Sequence, residues 1–290
     1  MTVFSWCLRI IGLCVAALAL ASCSAVKLGY GQLPDLAYWW IDGYIDTTEA
    51  QTPRLRSEIA ALHQWHRTSE LPEYTRLLQK MQRLAPGPIS PEQACGVFEE
   101  ARERYKVLSA RIEAPALWLA QTLTSEQLQH LERKYGKTNG DWQAKWLRGS
   151  PAERLQHRLK QAVERNEILY GSLEETQIQT LRADLTQSSY NAQKLWAERL
   201  RRQQDILQSL RALNAGTLPP GAARDTHHAL LERLATSPDA AFRAYSATTV
   251  REDCAIFSRL HNSTTAIQRA RAVETLRKYE EDFRALAASR

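Results

Sequence analysis

Glycine and proline are scarce in this 290-residue chain, at 12 and 11 residues, and cysteine numbers only five. The few glycines and prolines fall between segments of helical apolar periodicity, where they act as punctuation. No stretch of useful length alternates apolar with polar residues, which argues against a β-sheet. An apolar run from Ile10 to Leu20 falls short of the about 20 residues that cross a bilayer. Catalytic signatures are missing as well. There is no HExxH and no GxSxG. The tripeptide Gly136-Lys137-Thr138 lacks the upstream glycine of a phosphate loop and follows a helical pattern, so it is expected as a turn.

What is present begins with an address. Arg9 supplies a positive charge, Ile10 to Leu20 an apolar stretch, and small residues lead to a cysteine in Leu20-Ala21-Ser22-Cys23. This is the layout of a secretion signal, and its end resembles the lipobox of bacterial lipoproteins. The resemblance implies cleavage before Cys23, a diacylglycerol on its thiol and an acylated new N-terminus. Three chains exceed the two signals that stable anchoring needs. Ser24 stands where an aspartate would favour the inner membrane in that class, so the outer membrane of a Gram-negative bacterium is implied. The alternative is an ordinary signal peptide with an incidental cysteine. Residues 1–22 are therefore expected as signal peptide, 23–33 as a lipidated tether and 34–290 as a helical domain on the periplasmic face. The ten residues from 24 to 33 would reach roughly 35 Å if extended.

Cys7 and Cys14 leave with such a signal, which leaves Cys95 and Cys254. An oxidising compartment permits a bridge between them; two buried thiols are the alternative. Either way a cysteine-rich zinc site is excluded. The net charge of +6 loses one arginine with the signal and becomes +5. Its lysines and arginines are spread among many acids, as on a solvated surface, and no nucleic-acid-binding motif occurs.

Helix starts are legible. Thr48-Glu49-Ala50-Gln51, Ser90-Pro91-Glu92-Gln93 and Thr124-Ser125-Glu126-Gln127 fit the capping box, in which the hydroxyl accepts the amide three residues on and the glutamine reaches back. Ser150-Pro151 and Ser237-Pro238 set a cap before a proline at the first helical position. These signals predict helices near 35–45, 49–68, 71–84, 91–121, 125–135, 141–148, 151–170, 174–213, 222–235, 238–260 and 264–288, with Pro115 bending the fourth. Short connections favour antiparallel neighbours, hence an all-α, multi-helix bundle.

The most apolar segment of the mature chain is Leu33 to Asp46, "LPDLAYWWIDGYID". Trp and Tyr favour headgroup depth, so an interfacial anchor is one reading. A helix buried in the bundle is preferred, because Asp42 and Asp46 would meet an anionic surface badly. His63 and His66 stand three apart but lack further ligands at metal-site spacing. No metal and no cofactor is expected. The acid pairs Glu174-Glu175 and Glu280-Glu281 suit solvated faces.

Two resemblances follow. "LTSEQ", Leu123 to Gln127, is similar to the LTxxQ motif of the helical periplasmic proteins Spy and CpxP, with "ISPEQ" at 89–93 a variant. Those are envelope-stress chaperones or adaptors, which marks Leu123, Thr124 and Gln127 as possible binding residues. More broadly, "LGYGQLPDLAYWWIDGYID", "LHQWHR" and "LHNSTTAIQRARAVETLRKYEEDFRAL" resemble a family of uncharacterised proteobacterial lipoproteins carrying a domain of unknown function, over Leu28 to near Leu286. Cys95 and Cys254 fit cysteines expected of that family. That family resemblance bears on address and fold, not on chemistry; the expected function is a non-enzymatic lipoprotein that binds a protein partner or client in the manner of a chaperone. The alternative is an assembly lipoprotein that contacts lipopolysaccharide or peptidoglycan. The expected partners are the membrane, through the anchor, and an unknown protein; nucleic acid is not one.

Overall fold

The computed structural model of the chain describes residues 25–215, 218–219 and 221–289. The signal segment, Cys7, Cys14 and the lipobox with Cys23 lie outside the described residues. Among those described, twelve α-helices account for nearly all of the structure. They are α1 (Ala25–Gly31), α2 (Leu33–Ile45), α3 (Thr52–Trp65), α4 (Leu71–Leu84), α5 (Pro91–Thr122) and α6 (Ser125–Trp146), followed by α7 (Pro151–Tyr170), α8 (Glu175–Gln187), α9 (Ala192–Asn214), α10 (Ala222–Ala235), α11 (Ala240–Ser263) and α12 (Ala266–Ala288). A π-helical turn, His66–Glu70, splices α3 to α4.

The capping boxes form as their spacing dictates. Ser90, Thr124 and Ser150 each accept the backbone amide three residues on, and Gln93, Gln127 and Glu153 each return a bond to the cap. Gln51 does the same for Thr48, at 3.0 Å. At two places the glutamine goes further. Gln51 and Gln127, both buried, donate to each other's side-chain oxygen at 3.2 and 2.7 Å. Gln51 also donates to the Thr122 carbonyl and Gln127 to the Asp46 carbonyl, each at 2.8 Å. All four hydrogen-bonding positions of both amides are then filled. We term this pair a glutamine clasp.

A second clasp repeats the first. Gln177 and Gln268 exchange side-chain bonds at 2.8 and 3.0 Å and donate to the carbonyls of Ser263 and Ser172. In both clasps the accepting carbonyl lies five residues before the partner glutamine. Each clasp therefore ties one helical hairpin to another: α2/α3 to α5/α6, and α7/α8 to α11/α12.

A hydrophobic core adjoins each clasp. Ala120, Leu123, Leu128, Leu131, Leu207 and Leu210 surround the first. Leu159, Leu173, Leu181, Ile256, Leu260 and Ala272 surround the second. Helix α5 links the two lobes. Its C-terminal end enters the first core, and its N-terminal half lies along α11, where Cys95 and Cys254 are joined with their Cα atoms 5.4 Å apart. Helix α4 packs along α12. Residues 25–289 thus contain both cores and both clasps and form the folded unit.

Several expectations change. Residues 25–31 are not tether but helix α1, which packs on α12 through Lys27 and Asp282 at 3.2 Å. The turn expected at Gly136-Lys137-Thr138 is helical and the helix runs on through Asn139 and Gly140, so 125–135 and 141–148 are one helix. The two glycines cost about 1 kcal/mol each against alanine. Side-chain ties offset this: Asn139 and Gln203 exchange bonds at 2.7 and 3.0 Å, and Arg199 joins Asn139 at 2.8 Å. The helix expected over 174–213 breaks at residues 188–191. There Arg158 donates to the Leu185 carbonyl and Ser188, the Tyr245 hydroxyl accepts the Asn191 amide, and Asn191 caps α9. Ser237 does not cap α11. It is buried against Glu198, and Asp239 caps instead.

Helix α2 is the largest correction. It contains no fully buried residue, and Leu33, Leu36, Trp39 and Trp40 are exposed. Neighbours α3 and α6 cover one side only. Asp42 does not point outward as assumed; it accepts the amide and hydroxyl of Thr47 at the helix end.

Candidate functional site

The first clasp fixes where α2, α3, α5 and α6 converge, and α9 reaches the same end through Asn214, which donates to the Leu123 carbonyl. Away from that end the helices diverge faster than their side chains can fill the space. The result is a half-open groove of about 1090 Å³. Its size sits at the upper limit of the usual range for ligand pockets. Local sequence makes its walls apolar. On α3, Leu55, Ile59 and Leu62 recur at helical spacing, and α2 faces them with Ile41, Tyr44 and Ile45. Ile112 and Leu119 of α5, Leu131 of α6 and Ile206 of α9 add to the lining. Pro115, also in the wall, withholds a backbone donor from α5.

Polar groups in the groove are mostly guanidinium. Arg54 stacks over Trp118 and lies 3.6 Å from Glu58. Arg199 is held by the neutral Asn139 and Thr138, and Arg202 pairs with Glu198 at 2.8 Å. Arg111 stands eleven residues from the clasp end of α5, about 16 Å at 1.5 Å per residue. Arg111, Arg199 and Arg202 therefore lie away from the clasp, with Glu198 among them, whereas Arg54 lies beside it, three residues from Gln51, and aliphatic residues line the groove throughout. Burial pushes the Glu198 carboxyl up, but hydrogen bonds from Arg201, Arg202 and Ser237 overcome this and hold it at about 2. Burial drives Tyr135 to about 12, so its hydroxyl stays protonated. The described residues lining the groove include no histidine, cysteine or serine. What they offer is apolar contact with a few guanidinium hydrogen-bond donors among it.

The singled-out residues fall as follows. Leu123 and Gln127 are buried at the clasp, beneath the groove, and Thr124 caps α6. Cys95 and Cys254 lie in the other lobe, and Cys254 lines a second cavity of about 450 Å³ with Met81, Phe98 and Phe257. His227 is buried and its neighbour His228 faces Glu113 at 3.3 Å. No group of three or more potential metal ligands occurs among the described residues. The glutamines of the second clasp, Gln177 and Gln268, went unnoticed in the sequence. Their signal was there, since "LEETQ" and "TTAIQ" repeat the spacing of "LTSEQ".

His63 and His66 bind helix α1. The His66 Nδ1 lies 2.9 Å from the Tyr30 hydroxyl, and the His63 Nε2 lies 3.1 Å from the Tyr30 carbonyl. Burial holds both imidazoles below their ordinary pKa and raises Tyr30 to about 12. The phenol is then the donor and neutral His66 the acceptor.

Fold and site together describe an all-helical protein with an apolar groove built over a buried amide pair. Residues 43–219 match a family of unknown function, DUF6279, and the chain belongs to that family. The matched span begins within α2 and ends beyond α9, so it takes in the first clasp and most of the groove walls. It is narrower than the Leu28 to Leu286 resemblance. No curated protein and no solved structure matches the chain.

The histidine pair makes α1 sensitive to pH. A histidine whose docked pKa is depressed opposes protonation, so docking is complete above the ordinary value of about 6.5 and weakens as pH falls below it. Amides of α1 are expected to exchange faster at pH 5.5 than at pH 7.5, after correction for intrinsic rates. Tyr30→Phe should shrink that difference. Equal protection of α1 at both values would contradict this assignment.

Proposed function

We propose that this chain is a non-enzymatic lipoprotein of the outer membrane's periplasmic face, anchored through Cys23, that takes an apolar segment of a protein partner or client into its groove. The groove carries the reading. It is long, apolar, open on one side and rimmed by charged side chains that keep the protein soluble while the apolar walls stay accessible. Such a surface suits partners that vary in detail, as a chaperone's clients do. Each leucine-sized side chain that a client buries there would contribute about 1.5–3 kcal/mol. The LTxxQ-like segment supports this role indirectly: Gln127 sets the geometry of the groove floor. The alternative of an assembly lipoprotein that contacts lipopolysaccharide or peptidoglycan draws on the arginines alone and leaves the apolar walls without a use. Lipidation at Cys23 and the outer-membrane address rest on the lipobox resemblance and on Ser24, and the proteobacterial origin rests on the family resemblance over Leu28 to Leu286.

The test is aggregation of unfolding client proteins in the presence of the purified domain. Equimolar domain is expected to slow aggregation, and Ile41→Glu with Ile112→Glu is expected to abolish the effect while helicity and the unfolding midpoint stay near wild type. No slowing by the wild-type domain at any ratio up to equimolar would overturn the client reading. In cells, Cys23→Ala should leave unprocessed precursor without lipid label. Normal processing of that variant would remove the anchor.

A further inference from the structure

Half of the exposed large hydrophobic residues of the described chain sit in one short stretch. They are Leu28, Leu33, Leu36, Trp39 and Trp40, and the two tryptophans are 63% and 67% exposed. At 100° per residue, Leu36 and Trp39 fall on the outer face of α2, while Leu33 and Trp40 fall on the edge toward the groove. Trp40 also lines that groove. A contiguous apolar patch of this kind marks a contact surface. From its chemistry and its place in the chain, we infer that the outer face of α1 and α2 is a membrane-docking surface, which seats the groove mouth against the bilayer's headgroup layer.

Three observations select a bilayer as the occupant. The first is chain length. A single residue, Ser24, separates Cys23 from the start of α1 at Ala25, a reach of roughly 7 Å over two Cα steps. Helix α1 adds about 10 Å and is fixed to the domain through Lys27 with Asp282 and Tyr30 with His66. Given the lipid anchor proposed above, on which this step rests, the start of α2 is held within about 20 Å of the anchored cysteine, close to the bilayer surface. The second is composition. Two tryptophans beside leucines form the pairing that sits at headgroup depth with aliphatic side chains reaching the acyl boundary. The third is charge. Asp42 is turned to Thr47, and Asp35, although its side chain is 57% exposed, is paired with Arg56 at 2.9 Å, which offsets its charge. Asp46, exposed at the far end of α2, lies 4.0 Å from His130.

The patch is tested without the anchor, using residues 25–290 and large unilamellar vesicles of phosphatidylethanolamine and phosphatidylglycerol. The domain is expected to bind, to keep binding at about 0.5 M salt, where charge attraction is screened, and to show tryptophan quenching by brominated lipid. Leu36→Ser with Trp39→Ser should weaken partitioning by about ten-fold or more, from the lost apolar transfer. Trp39→Phe with Trp40→Phe should keep binding but lose most of the quenching, which places the contact on α2. Absence of vesicle binding would overturn the inference. So would binding that disappears in salt and ignores the serine changes, because the domain's net positive charge alone would explain it. Concentration-dependent dimers abolished by those changes would instead assign the patch to a second copy of this chain. Because the anchor is absent, failure here is separate from failure of lipid labelling at Cys23, which would leave the patch intact and remove only its tether.

Discussion

A primary amide has two donors and two acceptor positions, and burying it is favourable only when these are met. Gln51 and Gln127 meet them with each other and with the backbone at two helix junctions. Each such bond contributes about 0.5–1.5 kcal/mol net, whereas a buried amide left without its partner costs about 1–3 kcal/mol. The arrangement is therefore close to all-or-none. It admits one relative position of the two helical hairpins, because every bond ends on a particular carbonyl. Apolar contacts around Leu123, Leu128 and Leu131 supply the larger share of stabilisation but are indifferent to small slips. The clasp supplies the register.

That register explains the groove. Four helices are pinned at one end by a compact polar joint, whereas the far ends of α2 and α3 are held through α1, by Tyr30 with His63 and His66. Packing is tight near the clasp and gives way toward Trp40, Arg111 and Arg199. The second lobe repeats the joint with Gln177 and Gln268, but its Ala272 and Leu260 are almost wholly buried beside it, and the cavity it leaves, about 450 Å³, is smaller than the groove. One device thus serves two lobes that differ in how fully their helices meet. The disulfide holds α5, which belongs to both, against the second lobe, so the groove has a fixed wall.

What could be read in the sequence was local. Caps at Ser90, Thr124 and Ser150, and the back-bonds of Gln93 and Gln127, depend on residues three apart. That the free amide nitrogen of Gln127 would meet Gln51, far away in the chain, is a tertiary fact with no local trace. Gln177 was concealed because Glu174 occupies the place of the usual hydroxyl cap. The bridge between Cys95 and Cys254 was partly legible by elimination of the other cysteines. Burial of α2 was misjudged because apolar content says that a face seeks cover, not that a neighbour supplies it. The break at residues 188–191 and the continuity through Gly136 and Gly140 were likewise decided by Arg158, Tyr245, Arg199 and Gln203 from other helices. The groove was only half visible: Trp40, Ile41 and Tyr44 drew attention, but the share of α5 and α9 appears only where packing stops.

The central claim is that the two glutamines act as one unit. A double-mutant cycle on Gln51→Ala and Gln127→Ala, read by denaturant unfolding, measures it most directly. The account gives a coupling energy of about 1–3 kcal/mol, with the second substitution costing little once the first is made. Costs that add to within about 0.5 kcal/mol would show two independent caps and contradict it.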